Sequence, residues 1–291
     1  MLGNQIYNEL RVFIAEWPVN PFFNIAFEEA VFLEARSPYL RFWRNDKAVV
    51  IGAFQCSVLE VNAHVAVQHG IKLTRRFTGG GAVYHDLGNI NYALTLPGYE
   101  LGLEDAFKLV GESVATALRE LGVNAYYRPL NDIEVDGLKI SGMAASRRHD
   151  RVFVHGSLLV SSDLSILQSV LKISGEKVSD KKYVKSRTKR VTTLREVLGK
   201  KVDIDTLYNL IASNIARKLG MSYKRVDIDI PFLKTAIKLY RTKYSSAKWN
   251  LGCLDEFIDI LSKEEINSFI EIAIPDERQE EAVKDMERCL G

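Results

Sequence analysis

Arg75-Arg76-Phe77-Thr78-Gly79-Gly80-Gly81-Ala82-Val83-Tyr84-His85-Asp86 is the stretch from which the fold and the chemistry are read outward. Three consecutive glycines separate two strand-like runs, Lys72–Phe77 and Ala82–Tyr84. Such a triplet costs backbone entropy, so the turn needs its conformational freedom. One reading is a loop whose successive N–H groups face an anion, with two arginines supplying permanent charge. The other is a tight turn beside two surface arginines, and composition alone does not choose. The stretch lacks the GKS/T of a Walker loop and the GxGxxG of a Rossmann fingerprint.

Upstream, Leu10–Trp17 predicts a strand ended by Pro18 and Pro21. Asn24–Ala35 has apolar residues at helical spacing, with Asn20 or Asn24 as N-cap. Tyr39–Trp43 and Ala48–Ile51 predict a hairpin-like pair around Asn45-Asp46, and Val58–His69 a short helix closed by Gly70. Downstream, Ile90–Leu96 and Val152–Val160 read as strands, and Leu103–Leu121 as the clearest helix. Asp136-Gly137 is a strong hairpin turn between Asp132–Val135 and Leu138–Ser141. Leu164–Leu171, Ile204–Leu219 and Ile230–Tyr240 are helical. Strands cluster instead of alternating with helices, so the fold class is α+β: a mixed, mostly antiparallel sheet with packed helices.

With 47% hydrophobic and 26% charged residues, 291 residues can bury a core without staples. A net charge of +2 does not point to nucleic acid. No run approaches the roughly 18 apolar residues of a membrane span, and no signal-peptide core is visible, so a cytoplasmic location is expected. Cys56, Cys253 and Cys289 are odd in number and far apart, which predicts neither a disulfide framework nor a zinc site.

Two further segments carry chemistry. In Asn131–Gly142, Lys139 follows the hairpin turn between apolar neighbours. In a cleft it could hold a carboxylate and a phosphate oxygen together; on an open strand it would simply be solvated. In Val154–Leu159, His155 lies in an apolar strand, where a histidine is more often a satisfied core residue than an acid–base group.

Taken together, RRFTGGGAVYHDLGNINYAL (residues 75–94), NDIEVDGLKISGMAAS (131–146) and HGSLLV (155–160) resemble, in order and spacing, the lipoate–protein ligases of the biotin/lipoate ligase and octanoyltransferase superfamily. The resemblance also takes in Arg41–Arg44, Val50–Gln55, Lys185-Ser186-Arg187, Arg190-Val191-Thr192 and Tyr244–Gly252, about residues 10–252. It implies a biotin/lipoate ligase-like catalytic domain over 1–252 and a short helical extension over 253–291. It further implies two steps: lipoate and ATP give lipoyl-adenylate, and an acceptor lysine then attacks it.

By the same resemblance, Lys139 is the catalytic residue, touching both the lipoate carboxyl and the α-phosphate. Arg75, Gly79, Gly80, Gly81, Ala82, Val83, Tyr84 and Asp132 would contact ATP or the adenylate. Gly80, Ala144, His155 and Gly156 would line an apolar lipoyl tunnel. Mg²⁺ is expected with ATP, bridging phosphates and needing few protein ligands; no protein metal site and no tightly bound prosthetic group are expected. The implied acceptors are lipoyl domains, such as those of 2-oxoacid dehydrogenase E2 and the glycine cleavage H protein, with no nucleic-acid or membrane partner.

Only 39 residues follow Gly252, fewer than the accessory domain of long ligases, so a separate accessory protein is a possible partner. The basic stretch Lys177–Arg195 could steer acidic acceptors or order over the adenylate, or could be a solvated face. Rival readings are an ATP-independent octanoyl transferase working through a cysteine, and a non-catalytic ligand-binding homologue.

Overall fold

In a computed structural model of the chain, the described residues are 7–148, 150–172 and 190–290. The Lys177–Arg195 stretch therefore lies outside them up to residue 189, as do Lys185-Ser186-Arg187.

The strands are β1 (Glu9–Ile14), β2 (Tyr39–Trp43), β3 (Lys47–Ile51), β4 (Lys72–Arg75), β5 (Val83–Asp86), β6 (Asn89–Pro97), β7 (Ala125–Arg128), β8 (Asp132–Val135), β9 (Leu138–Arg148), β10 (Arg151–Leu159) and β11 (Ser222–Arg225). The helices are α1 (Pro21–Glu34), α2 (Ser57–Glu60), α3 (Ala63–Gln68), α4 (Leu103–Glu120), α5 (Leu164–Val170), α6 (Leu194–Leu198), α7 (Ile204–Leu219), α8 (Ile230–Leu239), α9 (Ala247–Leu251), α10 (Lys263–Ile272) and α11 (Glu277–Leu290).

Eight strands form one sheet in the order β11-β1-β2-β6-β10-β9-β8-β7, and β4-β3-β5 form a second. Among the described residues, only β11–β1, β1–β2 and β3–β4 pair in parallel; the other strand pairs are antiparallel. The α+β expectation holds, with sheet pairing mixed and mostly antiparallel. One face of the large sheet buries α4 and α7 in a core that includes Val114, Leu118, Ile211 and Ile215. The other face meets α1 and the small sheet, and the cavity described below lies on that side.

Local chemistry explains the elements. Asn20 caps α1 by accepting from Phe23 N at 3.0 Å, and Pro21 occupies the first turn, where no N–H is needed. Residues 21–32 of α1 are all buried, as expected of a helix that is apolar nearly all round. Asp136 (φ 50°) and Gly137 (φ 78°) form the left-handed pair that turns β8 into β9.

Three expectations are corrected. Tyr39–Trp43 and Ala48–Ile51 are not a hairpin: β2 joins the large sheet and β3 the small one. Asn24 Nδ2 donates to Asn45 Oδ1 (2.8 Å) and Asp46 N to Pro18 O (2.8 Å), anchoring the crossing between layers. Val58–His69 is not one helix but two, α2 and α3, parted at Val61, which bridges to Leu171. Cys56 and Cys253 form a disulfide with Cα atoms 5.3 Å apart, although 197 positions separate them. It joins the N-cap of α2 to the segment just after Gly252. That following segment packs onto the body: Asn20 Nδ2 donates to Gln279 O, Gln279 Nε2 to Val19 O, and Tyr240 OH to Glu280. Among the described residues no helix is long and apolar enough to cross a membrane.

Candidate active site

A cavity of about 400 Å³ lies between the sheets. Its floor follows a row of cross-strand partners, Trp43–Asn91–Ser157–Gly142–Asp132, on β2, β6, β10, β9 and β8. Directly opposed residues share a face of a sheet, so this row runs across the strands.

At one end, Lys139 Nζ pairs with Asp132 Oδ1 at 2.8 Å, the ammonium partly exposed and the carboxylate buried. The backbone of Lys139 is gripped too: its N–H donates to Arg190 O (2.9 Å) and its carbonyl accepts from Thr192 N (3.0 Å). Gly142 makes room for the side chain. A Cβ there would stand 2.5 Å from Lys139 Nζ and 2.7 Å from Cε.

Over this floor lies the triple-glycine turn, organised by Arg76. Its guanidinium donates to Gly79 O (2.7 Å), Gly81 O (2.8 Å), Val50 O (3.0 Å) and Thr78 Oγ1 (3.2 Å). Burial, with Arg75 close by, lowers Arg76 to about 10, so it remains a cation at neutral pH. In a trans peptide the N–H points opposite to the preceding C=O. Drawing the Gly79 and Gly81 carbonyls to Arg76 therefore turns the N–H groups of Gly80 and Ala82 away from it. Gly80 has φ +93°, and a Cβ there would come within 2.9 Å of Arg76 Nη2.

Between the two ends stands His155, with Nδ1 2.8 Å from Glu28 Oε2 and Nε2 2.7 Å from Thr78 Oγ1. Glu28 is fully buried in α1 and also accepts from Trp43 Nε1 (3.1 Å). Burial alone would raise its pKa, but His155, Arg41 and Trp43 together outweigh that and lower it. A carboxylate only accepts, so Nδ1 of His155 carries a proton.

Of the residues singled out from the sequence, Gly80, Gly81, Ala82, Val83, Asp132, Lys139, Ala144, His155 and Gly156 line the cavity. Arg75, Gly79 and Tyr84 are not among its lining residues. Arg75 is buried elsewhere, donating to the carbonyls of Gly52 (3.0 Å), Gln55 (2.7 Å), Trp249 (2.7 Å) and Leu251 (2.9 Å). Those carbonyls include the C-terminal end of α9, where a cation is favoured. Gly79 lies under the Phe54 ring, and Tyr84 packs into the core beneath the small sheet. Gly156 borders the cavity through its backbone; the space a Cβ would take on its other side is filled by the Tyr92 ring, which bonds Ser141 at 2.9 Å. Its small size thus serves the core as well as the cavity.

Sequence alone does not distinguish Arg76 from Arg75, nor does it mark Glu28, Trp43 and Asn91 as site residues. Only Glu28 had a local signal, a carboxylate on the buried face of an apolar helix.

The chain matches the family described as the lipoyl protein ligase A/B catalytic domain over residues 20–216. The chain belongs to the lipoate–protein ligase family. Its relatives in this family include lipoate-protein ligase A subunit 1 of Thermoplasma acidophilum, 33% identical over 259 residues, covering 84% of this chain and 98% of that protein. Lipoate–protein ligase 1 of Staphylococcus aureus is 35% identical over 236 residues, covering 80% of this chain and 70% of its own. Among solved structures of the family, a bi-partite lipoate protein ligase with its E2 lipoyl domain from T. acidophilum superposes with a TM-score of 0.76 at 32% identity, covering 84% of this chain and 97% of that one. A lipoate-protein ligase A bound with ATP gives a TM-score of 0.74 at 31% identity, covering 84% and 99%.

Proposed function

We propose that this chain activates lipoate with ATP and transfers the lipoyl group to a lysine of an acceptor lipoyl domain. The observation that carries this reading is one cavity lined both by the Lys139 ammonium and by an Arg76-braced glycine turn. Adenylation brings a carboxylate and a triphosphate together, so positive charge must hold two anions in line. Lys139, held by Asp132 and by both of its backbone hydrogen bonds, supports a fixed position for the carboxyl oxygen beside the α-phosphate. The backbone N–H of Gly80, turned away from Arg76, suits a phosphate oxygen.

In the first step the lipoate oxygen attacks the α-phosphorus and pyrophosphate leaves. In the second the neutral ε-amine of the acceptor attacks the acyl carbon and AMP leaves. Mg²⁺ belongs to this reading as a companion of ATP, supplying charge neutralisation on its phosphates. Asp132 is the carboxylate on the cavity wall that suits it, and no group of three His, Cys, Asp or Glu among the described residues forms a further candidate. Arg75 and Tyr84 support the site from behind in this proposal, through the packing of the Gly52–Gln55 loop and of β5.

A cysteine-based transferase is disfavoured by position. Cys56 and Cys253 are joined, Cys289 is exposed on α11, and none lines the cavity. The bi-partite Thermoplasma relative, named a subunit and solved with an E2 lipoyl domain, supports an acceptor of that kind and a separate accessory subunit for this chain.

The deciding assay is lipoate-dependent ATP–pyrophosphate exchange, followed by transfer to a lipoyl domain, with and without an accessory subunit. Lys139→Ala should reduce exchange by at least about 10²-fold while leaving the circular dichroism spectrum unchanged. Full activity in that variant would remove Lys139 from the reaction.

A further inference from the structure

Beyond Asp132 the row of cross-strand partners on the cavity floor takes one more step, to Arg128 on β7, the edge strand of the large sheet. Directly opposed residues share a face, so Arg128 lies on the same face as Asp132 and Gly142. Its side chain is 57% exposed. Residues 129–132 line the cavity and Arg128 does not, which places it on the rim at the polar end. Two contacts fix the direction of its guanidinium. Nε donates to Glu134 Oε2 (3.3 Å), and Cζ lies over the Tyr126 ring, 5.5 Å from its centre. Among the described residues neither Nη group has a hydrogen-bond partner, which leaves the outer fork for an anion. Lys139 and Arg128 are thus two cations on one face, each held by a buried carboxylate, Asp132 and Glu134.

We propose that Arg128 receives the β- and γ-phosphates of ATP and stabilises pyrophosphate as it leaves. The proposal rests on the ligase reading above, with the lipoate carboxyl and the α-phosphate held at Lys139. Displacement at phosphorus is in line, so the leaving oxygen lies opposite the attacking one. From Lys139 the floor runs back into the cavity towards Trp43 and forward to the sheet edge at β7. The acid occupies the enclosed side, so the leaving group departs on the open side, where Arg128 stands. As the bond from the α-phosphorus to the bridging oxygen breaks, its electron pair passes to the β-phosphate. An arginine fork beside that phosphate meets the charge as it grows. Gly142, against which Lys139 Nζ lies, and Arg128 are two strand steps apart, about 10 Å. A triphosphate and an arginine side chain together span that distance.

The test is ATP–pyrophosphate exchange with lipoate and Mg²⁺, in wild type, Arg128→Gln and Arg128→Lys. Arg128→Gln keeps a donor for Glu134 and loses the cation. Its KM for inorganic pyrophosphate rises about tenfold and its kcat/KM for ATP falls by a similar factor, while KM for lipoate is kept. Arg128→Lys, with the charge but no fork, falls between the two. Transfer to a lipoyl domain from preformed lipoyl-adenylate stays at the wild-type rate in both variants, because no pyrophosphate takes part in that step. A purely structural loss would slow it as well. An unchanged KM for pyrophosphate in folded Arg128→Gln overturns the proposal. So does a defect confined to transfer, which would mark Arg128 as a contact for the acceptor instead. Should Arg128→Gln fail to fold, Arg128→Lys decides, by a pyrophosphate KM that is raised or unchanged. Wild type that exchanges while Arg128→Gln matches it sinks Arg128 alone. Wild type that does not exchange with lipoate sinks the ligase reading, and this proposal with it.

Discussion

Glu28 on α1 and His155 on β10 meet at 2.8 Å across 127 positions of sequence, and through Thr78 and Arg76 they reach the carbonyls of the glycine turn. The contact ties the centre of the cavity floor to the loop above it. Replacing Glu28 by Gln keeps the shape but changes the polarity. If the amide oxygen stays on Trp43 Nε1, the amide nitrogen faces His155 Nδ1 and drives the ring proton to Nε2. The expected result is a loss of about 1–3 kcal/mol in urea unfolding, since a charged acceptor in the buried chain is gone. A changed His155 tautomer in ¹⁵N spectra is the specific signature, and an unchanged tautomer would refute the chain of donors described here.

Gly142→Ala tests whether Lys139 must lie where it does. The added methyl would overlap both Nζ and Cε of the lysine, leaving that flexible side chain to move off Asp132. Adenylate formation should drop by about 10-fold or more, while the melting temperature changes little, because the displaced group is part-exposed. A variant that melts normally and adenylates at the wild-type rate would show that the pair with Asp132 is dispensable.

Stability should fall on acidification before any carboxylate is reached. His85 ordinarily titrates near 6.5, but in the folded chain it is lowered to about 3. Between those values the unfolded chain binds a proton that the folded chain refuses, so its contribution is complete above pH 6.5 and is lost as pH falls towards 3. Glu28, lowered from its usual 4.5, adds a loss of the same sign only at more acid pH. Urea titrations from pH 7 to 5 should show a slope that His85→Gln flattens. Identical slopes in the two proteins would mean that His85 is not held neutral.

The Cys56–Cys253 bond closes a loop of nearly 200 residues around the Arg75 carbonyl cage. Cys56→Ser should cost about 2–4 kcal/mol under oxidising conditions and nothing further once wild type is fully reduced. The comparison is made by thermal unfolding with and without reductant. Coincident melts of variant and oxidised wild type would show that the bridge contributes no stability.

Local features carried much of the architecture in the sequence itself. Helix α4 ends at a glycine with positive φ, the Asp136-Gly137 turn makes its hairpin, and Asn20 caps α1, each because backbone dihedrals and hydrogen bonds within a few residues decide it. The glycine turn and Lys139 were legible as short runs of unusual residue type, although composition alone left both an anion site and a plain turn or solvated lysine open. Tertiary packing decided the rest. It separated β2 from β3 into two sheets, joined two distant cysteines, and buried Arg75 among carbonyls while bringing Arg76 to the cavity. It also set Glu28 against His155. These are contacts between residues tens to hundreds of positions apart, selected by burial and by the pairing of polar groups once the layers close. No periodicity or spacing along the chain encodes which of two neighbouring arginines will face inward.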